Sequence, residues 1–467
     1  MGIDFIANSV AELADGVRTG ITTARELTDH ALERIGALNA QLVAFVAVDA
    51  ERARADADEI DRRIAAGADV GPLAGIPIGV KDLEDAAGFV TTYGSDLHTD
   101  DAPATEDSPL VARLKAAGCV VIGKTNTPEY GHKGATDNVP FGVTSNPWSP
   151  ERSPGGSSGG SAAAIASGMV PLATGSDGGG SIRIPAALCG LSGIKTTQGR
   201  VPLGGPNPPG SGPLSVKGPM AWRIRDVALA LDAVVGPEPT DIFSLPAGDP
   251  WLPALASLAP PEKVVWSPTM GYGKVDAEIA KVLGGAVETL AAMGTEIIEM
   301  DDIFDQDPVT DWIPLWAAAR YKTQGHLRDT EDWDRLSETI KPQIVLGERV
   351  TGADHARALD ACHSLNLRLD RVFERAPLIL CPVAGGQTPV LGHDGTIDGV
   401  EHQGWVQFTY AINMTRNPAG TVNAGFTADG MPVGLQIIGR QLDDVGVLRT
   451  IAVLEGALSD SRLPQVR

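Results

Sequence analysis

Between Ser153 and Pro185 two glycine-serine clusters bracket a short helix-forming run and a short apolar segment, and this stretch restricts the fold more than any other. The first cluster reads Ser-Pro-Gly-Gly-Ser157-Ser-Gly-Gly-Ser; the second reads Gly175-Ser-Asp177-Gly-Gly-Gly-Ser181-Ile-Arg183-Ile-Pro185. Glycine carries no Cβ, so it accepts unusual backbone angles and lets N–H groups crowd around a ligand atom. Each cluster can therefore set serine hydroxyls beside exposed amide donors, which is how an anion or oxyanion site is built. A flexible linker has no use for the run from Ala162 to Gly168, nor for Ile-Arg-Ile-Pro after the second cluster. A phosphate loop fails on spelling, because Ser161 stands where the phosphate-binding lysine is required.

Two other short motifs also fail on context. Gly156-Ser-Ser158-Gly-Gly160 matches a nucleophile elbow, but Pro147-Trp-Ser-Pro150-Glu-Arg-Ser-Pro154 cannot supply the central strand that must precede one. Ser192-x-x-Lys195 matches a β-lactam-recognition pattern, yet neither Ser-Asp-Asn nor Lys-Thr-Gly accompanies it.

Along the chain, residues 9 to 67 read as helical throughout, with capping boxes at Ser9-x-x-Glu12 and Thr23-x-x-Glu26. Leu73 to Val80 reads as a buried strand ending at Lys81-Asp82. A lysine held in an apolar site loses charge because desolvation penalises the ammonium, which would suit it to act as a base near neutral pH. Helix and strand then alternate through Lys195, which favours an α/β sheet. Val201 to Pro219 is rich in Pro and Gly and reads as loop. Strands are expected at Lys263–Trp266, Glu296–Met300, Leu378–Pro382 and within Ala428–Gly439, and helices at Ile224–Val235, Asp276–Met293, through 301–372 and from Asp443 to Leu458.

Composition excludes several classes. The 467 residues carry 37 Lys plus Arg against 59 Asp plus Glu, a net charge of −22, which disfavours a nucleic-acid or anionic-membrane surface. The four cysteines are dispersed, and the eight histidines form no paired metal motif, so neither a disulfide scaffold nor a metal is expected. With no secretory leader pattern and no apolar run near the ~20 residues of a membrane span, a soluble, cytoplasmic protein is expected.

Several motifs together resemble the amidase signature family: Gly75-Ile-Pro-Ile-Gly-Val-Lys81-Asp82, Gly123-Lys-Thr-Asn126, Asn146-Pro-Trp, the two clusters, Cys189-Gly and Asp429-Gly-Met-Pro-Val-Gly-Leu-Gln436. The resemblance spans nearly the whole chain and implies one amidase domain over 1–467: a helical N-terminal segment (about 1–70), a signature core (about 71–235) and a C-terminal half (about 236–467) that completes the sheet and pocket. It implies an α/β fold, a large mixed twisted β-sheet covered by helices on both faces. It also implies a triad with Ser181 as nucleophile, Ser157 as bridging serine after a cis peptide bond, and Lys81 as base, with no cofactor. The oxyanion would lie on the N–H groups of Gly178, Gly179, Gly180 and Ser181, while Asp177, Arg183 and Ser158 support the loop. Gly178 departs from the Thr, Ile or Ala commoner in relatives, which would open the pocket near this loop, and the 201–218 segment also departs and would form part of the rim.

The expected function is a stand-alone hydrolase of small apolar or aryl amides, extending to anilides, esters and carbamates (urethanes). Tyr130, Trp316, Trp405 and Phe408 are the candidate substrate contacts. The alternative is the glutaminase component of a tRNA-dependent amidotransferase, which resembles the family equally in its core. Trp405 to Asn413 holds no acidic residue to grip a free amino acid, which weighs against it. A catalytically idle binding protein is a second alternative, opposed by the intact triad positions. The expected partner is a small-molecule amide or carbamate, with the chain a monomer or homodimer.

Overall fold

The computed structural model describes residues 2–205 and 212–467. Its centre is one sheet of eleven strands. In chain order these are β1 (Phe45–Val48), β2 (Pro77–Lys81), β3 (Val120–Thr125), β4 (Leu172–Asp177), β5 (Ser192–Lys195), β6 (Val216–Ala221), β7 (Lys263–Trp266), β8 (Glu296–Glu299), β9 (Leu378–Pro382), β10 (Ala419–Phe426) and β11 (Pro432–Gly439). Across the sheet they run β1-β3-β2-β4-β6-β5-β10-β11-β9-β7-β8. β3, β2 and β4 are parallel neighbours, as are β9, β7 and β8, while the pairings from β4 across to β9 are antiparallel. The sheet is therefore mixed, and the β5–β10 ladder joins strands of the first half of the chain to strands of the second.

Burial explains which segments became central strands. β2, β3, β9 and β11 are buried at every residue, as near-continuous apolar runs covered on both faces must be. One apolar cluster packs Leu13, Ile78, Ile165, Leu231 and Ile437 together. A second packs Val265, Phe304, Trp316, Leu369 and Phe408 under the C-terminal half.

Two expectations change. The N-terminal segment is not helical throughout: helices Val10–Arg18, Ala24–Leu42 and Ala50–Ala65 are interrupted by edge strand β1. Val43 turns left-handed at φ 49° and ends the second helix. Asn39 then fixes Phe45, accepting from its N–H (2.7 Å) and donating to its carbonyl (2.9 Å), which starts a β-prone Phe-Val-Ala-Val run. The Pro/Gly-rich segment is also not loop to its end, because Val216–Pro219 already belongs to β6, where Pro219 lies opposite Thr174 of β4. Residues 206–211 of that segment lie outside the described residues. Both predicted capping boxes are present, at Ser9/Glu12 and Thr23/Glu26.

Candidate active site

Strand β2 delivers Lys81 into the interior at 0 % exposure. Its Nζ donates to Ser157 Oγ (2.8 Å), Ser158 Oγ (2.8 Å) and Ser176 Oγ (2.9 Å). Three hydroxyls and no carboxylate therefore surround the amine. Burial pushes the Lys81 ammonium down from 10.5 to about 7, against the opposing pull of Glu84 and Asp177. A lysine in that range carries a usable lone pair at neutral pH.

The first glycine-serine cluster brings Ser157 to that amine. The Gly156–Ser157 peptide bond is cis. A Cβ on Gly156 would lie 2.5 Å from the Ala135 carbonyl oxygen, so only glycine allows this approach. The following helix, Gly159–Ala166, is buried along its whole length, which explains its lack of a polar face.

The second cluster is the turn between β4 and helix Arg183–Leu188. Its anchor is a buried ion pair: Arg183 Nε and Nη2 donate to the two Asp177 carboxylate oxygens at 2.9 Å each, both side chains at 0 % exposure. Burial alone would raise the Asp177 carboxyl, but the Arg183 charge and hydrogen bonds, with Asn413, hold it well below the usual carboxylate range. Ser181 lies half-buried past the turn, and its carbonyl accepts from the Ser158 N–H (3.3 Å). Ser157, Ser176, Gly178 and Ser181 all line one cavity of about 590 Å³.

Other residues of this site were not legible in the sequence. Ser176, one residue before the predicted Asp177, is a direct partner of Lys81. Thr409 Oγ1 donates to the Gly179 carbonyl (2.6 Å), Asn413 Nδ2 to the Asp177 carbonyl (2.9 Å) and Trp312 Nε1 to the Gly178 carbonyl (3.4 Å). Gln436 Oε1 accepts from Arg183 Nη1 at 2.6 Å. All four come from the C-terminal half, more than a hundred residues away; only Gln436 falls in a quoted motif, and nothing local to that motif marks Arg183 as its partner. Ser158 holds Lys81 directly, a closer role than the neighbouring support expected of it.

The predicted set needs correction at three residues. The Gly180 N–H donates to Asp177 Oδ1 (2.8 Å), so it ties the turn to the ion pair and is not available to an oxyanion. Trp405 packs on Ile184, Val383 and Ala384, and Phe408 is wholly buried beside Phe304 and Ile412; neither belongs to the cavity wall. Their large apolar surfaces are better removed from water in the core than at a cavity. Tyr130 and Trp316 do line the cavity, joined by Leu83, Tyr93 and Leu203. The same cavity is also lined by carboxylates that no sequence motif marked, including Glu84, paired with Lys217 at 2.7 Å, and Asp107, paired with Lys115 at 2.7 Å. Among the described residues no group of three or more His, Cys, Asp or Glu is placed to hold a metal ion, and no helix is long and apolar enough to cross a membrane.

This arrangement can be set beside known proteins. The family model described as Amidase matches residues 26–448. The chain belongs to the amidase signature family. It is 36 % identical to an acylamidase of Rhodococcus erythropolis, over 96 % of this chain and 94 % of that protein. It is 34 % identical to a glutamyl-tRNA(Gln) amidotransferase component of Synechococcus sp. (strain RCC307), over 93 % of this chain and 94 % of that protein. The crystal structure of a bacterial aryl acylamidase of the amidase signature family superposes with a TM-score of 0.91 at 29 % identity, covering 97 % of each chain. The protein is accordingly a hydrolase acting on carbon-nitrogen bonds, and its fold is the mixed α/β sheet of these amidases.

Proposed function

We propose that this chain is a stand-alone serine amidase that cleaves small aryl or alkyl amides through an acyl-enzyme on Ser181. One observation carries the reading: a fully buried lysine, held near neutral pKa, lies 2.8 Å from a serine hydroxyl beside the predicted nucleophile. Neutral Lys81 takes the proton of Ser157, Ser157 takes that of Ser181, and the Ser181 oxygen attacks the amide carbonyl. The resulting oxyanion is received by the N–H groups of Gly178, Gly179 and Ser181; in other enzymes the loss of one such donor costs about 10²–10³ in rate. Ser157 returns a proton to the departing nitrogen, and water then hydrolyses the ester on Ser181. Asp177 and Arg183 hold the turn and do not react.

The aromatic side of the cavity, Tyr93, Tyr130 and Trp316, suits an aryl or alkyl substituent. A glutaminase role is the second reading. The same cavity carries Asp85, Asp101 and Glu106, carboxylates able to receive the ammonium of a free amino acid, and the amidotransferase relative is similar along most of the chain. Initial rates on an anilide, a primary aliphatic amide, an aryl ester, an aryl carbamate and glutamine, with Ser181→Ala alongside, decide between them. Anilide or amide turnover that vanishes in Ser181→Ala supports the amidase. Turnover of glutamine alone transfers the reading to the glutaminase. Undiminished rates in Ser181→Ala would sink the nucleophile assignment.

A further inference from the structure

Three successive glycines, 178 to 180, precede Ser181 in the turn after β4. Without a Cβ, local sterics do little to fix how such peptides rotate, so their orientation is set from outside the turn. Every carbonyl from Asp177 to Ser181 is held. In chain order they accept from Asn413 Nδ2 (2.9 Å), Trp312 Nε1 (3.4 Å), Thr409 Oγ1 (2.6 Å), the Ile184 N–H (2.7 Å) and the Ser158 N–H (3.3 Å). The N–H groups divide into two sets. Those of Gly180, Ile182 and Arg183 donate to the Asp177 carboxylate at 2.8, 3.3 and 3.4 Å. Those of Gly178, Gly179 and Ser181 have no partner among the described residues.

The peptide bonds of this turn are trans, so each carbonyl points opposite to the N–H of the following residue. A donor on the Gly178 carbonyl therefore turns the Gly179 N–H to the other side of the chain. Trp312 is that donor. Gly178 and Ser181 line the cavity and Trp312 does not, so the indole holds the turn from behind. Its ring is fixed in place: it stacks on Trp316 with centroids 4.9 Å apart and packs on Tyr410 at 5.6 Å. A Cβ on Gly179 would lie 3.0 Å from its Cζ2. Of the five ties, Trp312 alone comes from helix Val309–Gln324, whose Trp316 and Arg320 form part of the cavity wall. Two of the others are committed elsewhere. Asn413 also bonds the Asp177 carboxylate, and Thr409 pins a peptide whose N–H already goes to Asp177.

We infer that Trp312 is a positioning residue for hydrolysis: by holding the Gly178 carbonyl it aims the Gly179 N–H at the carbonyl oxygen that becomes negative in the tetrahedral intermediate. The inference rests on the acyl-enzyme reading above and adds the support of one oxyanion donor. Trp312 touches neither substrate nor nucleophile and acts through the turn. Because the charge on that oxygen develops only as Ser181 attacks, a misaimed N–H penalises the reaction more than substrate binding.

The test uses the weaker hydrogen-bond acceptance of sulfur than of oxygen. kcat/KM is measured for 4-nitrophenyl benzoate and for its thiono analogue, in which sulfur replaces the carbonyl oxygen, in wild type, Trp312→Phe and Ser181→Ala. The quantity read is the oxo-to-thiono ratio, in which a general loss of packing or of folded protein cancels. Trp312→Phe keeps an aromatic ring against Trp316 and removes the N–H. Loss of one hydrogen bond predicts a fall of about 3- to 10-fold in that ratio, carried by the oxo ester. Trp312→Met, which also lacks the donor, is the second route should Trp312→Phe fail to fold, with the same fall expected. A ratio within about twofold of wild type overturns the inference while leaving the hydrolase intact. An equal loss on both esters is that same result, and reduces Trp312 to a packing residue. A wild type that turns over neither ester, or activity that survives in Ser181→Ala, removes the acyl-enzyme reading, and this inference with it.

Discussion

Lowering the pH should switch this enzyme off by protonating one amine. As the proposed base Lys81 would work only when neutral, so kcat/KM is expected to fall as the pH drops through its value of about 7. The fall from 10.5 to about 7 corresponds to about 5 kcal/mol of penalty on the buried ammonium, at ~1.36 kcal/mol per pH unit. That penalty arises because the serine hydroxyls replace water only in part. For a single titrating base the neutral fraction is about one tenth one pH unit below the midpoint and about one hundredth two units below it. Initial rates on an anilide between pH 5 and 9 at constant ionic strength should therefore give an acid limb of slope one that bends near pH 7. Glu84 opposes the downward shift, so Glu84→Gln should move the bend to lower pH. Lys195 also lies near 7, which makes Lys195→Met the control that must leave the bend in place. A profile flat from pH 5 to 8, or a bend that moves with Lys195 instead of Glu84, would refute Lys81 as the base.

Three further outcomes concern stability. Lys195 is fully buried, and its Nζ donates only weakly, to the Thr196 carbonyl at 3.3 Å; Lys195→Met should raise the melting temperature by an amount equivalent to about 1–4 kcal/mol. Burial, with the Arg183 charge, lowers its pKa in the folded state, so the unfolded chain binds the extra proton between about 7 and 10.5. The native penalty is therefore full below pH 7 and fades as the pH rises, and the gain from Lys195→Met should be larger at pH 7 than at pH 10. Arg183→Met leaves the Asp177 carboxylate buried without its cation and should cost on the order of 3–5 kcal/mol in denaturant unfolding; a loss under ~1 kcal/mol would mean that Asn413 and the Gly180 and Ile182 N–H groups suffice. Gly160→Ala would set a Cβ 2.3 Å from the Asn126 backbone nitrogen, and insoluble or strongly destabilised protein is the expected result. Normal expression and melting would show that the helix can shift.

Much of the fold was legible because burial leaves a mark on composition. Strand β7 begins and ends where its Lys-Val-Val-Trp run does, and Asp276 and Met293 cap the Ala277–Ala292 helix as expected. The edge strand β1 was missed because four residues after a long helix carry little periodic signal, and their conformation is set by Asn39 and by pairing with β3. The 201–219 segment misled in the opposite direction. Its prolines and glycines read as loop, yet β6 forms there because β4 and β5 lie on either side to pair with it.

The two glycine-serine clusters and the lysine at a strand end point to the proposed chemistry by themselves, because the glycines serve close backbone approach and that need is local. The pKa of Lys81, the commitment of the Gly180 N–H and the make-up of the cavity wall were decided by tertiary structure alone. Desolvation depends on how much protein surrounds an amine, and hydrogen-bond partners on which distant segments meet. Thr409, Asn413 and Trp312 reach the Asp177–Gly179 backbone from the far half of the chain, and the same folding drew Trp405 and Phe408 into the core. A sequence records which side chains are apolar enough to be buried; only packing chooses which of them are left to face a substrate.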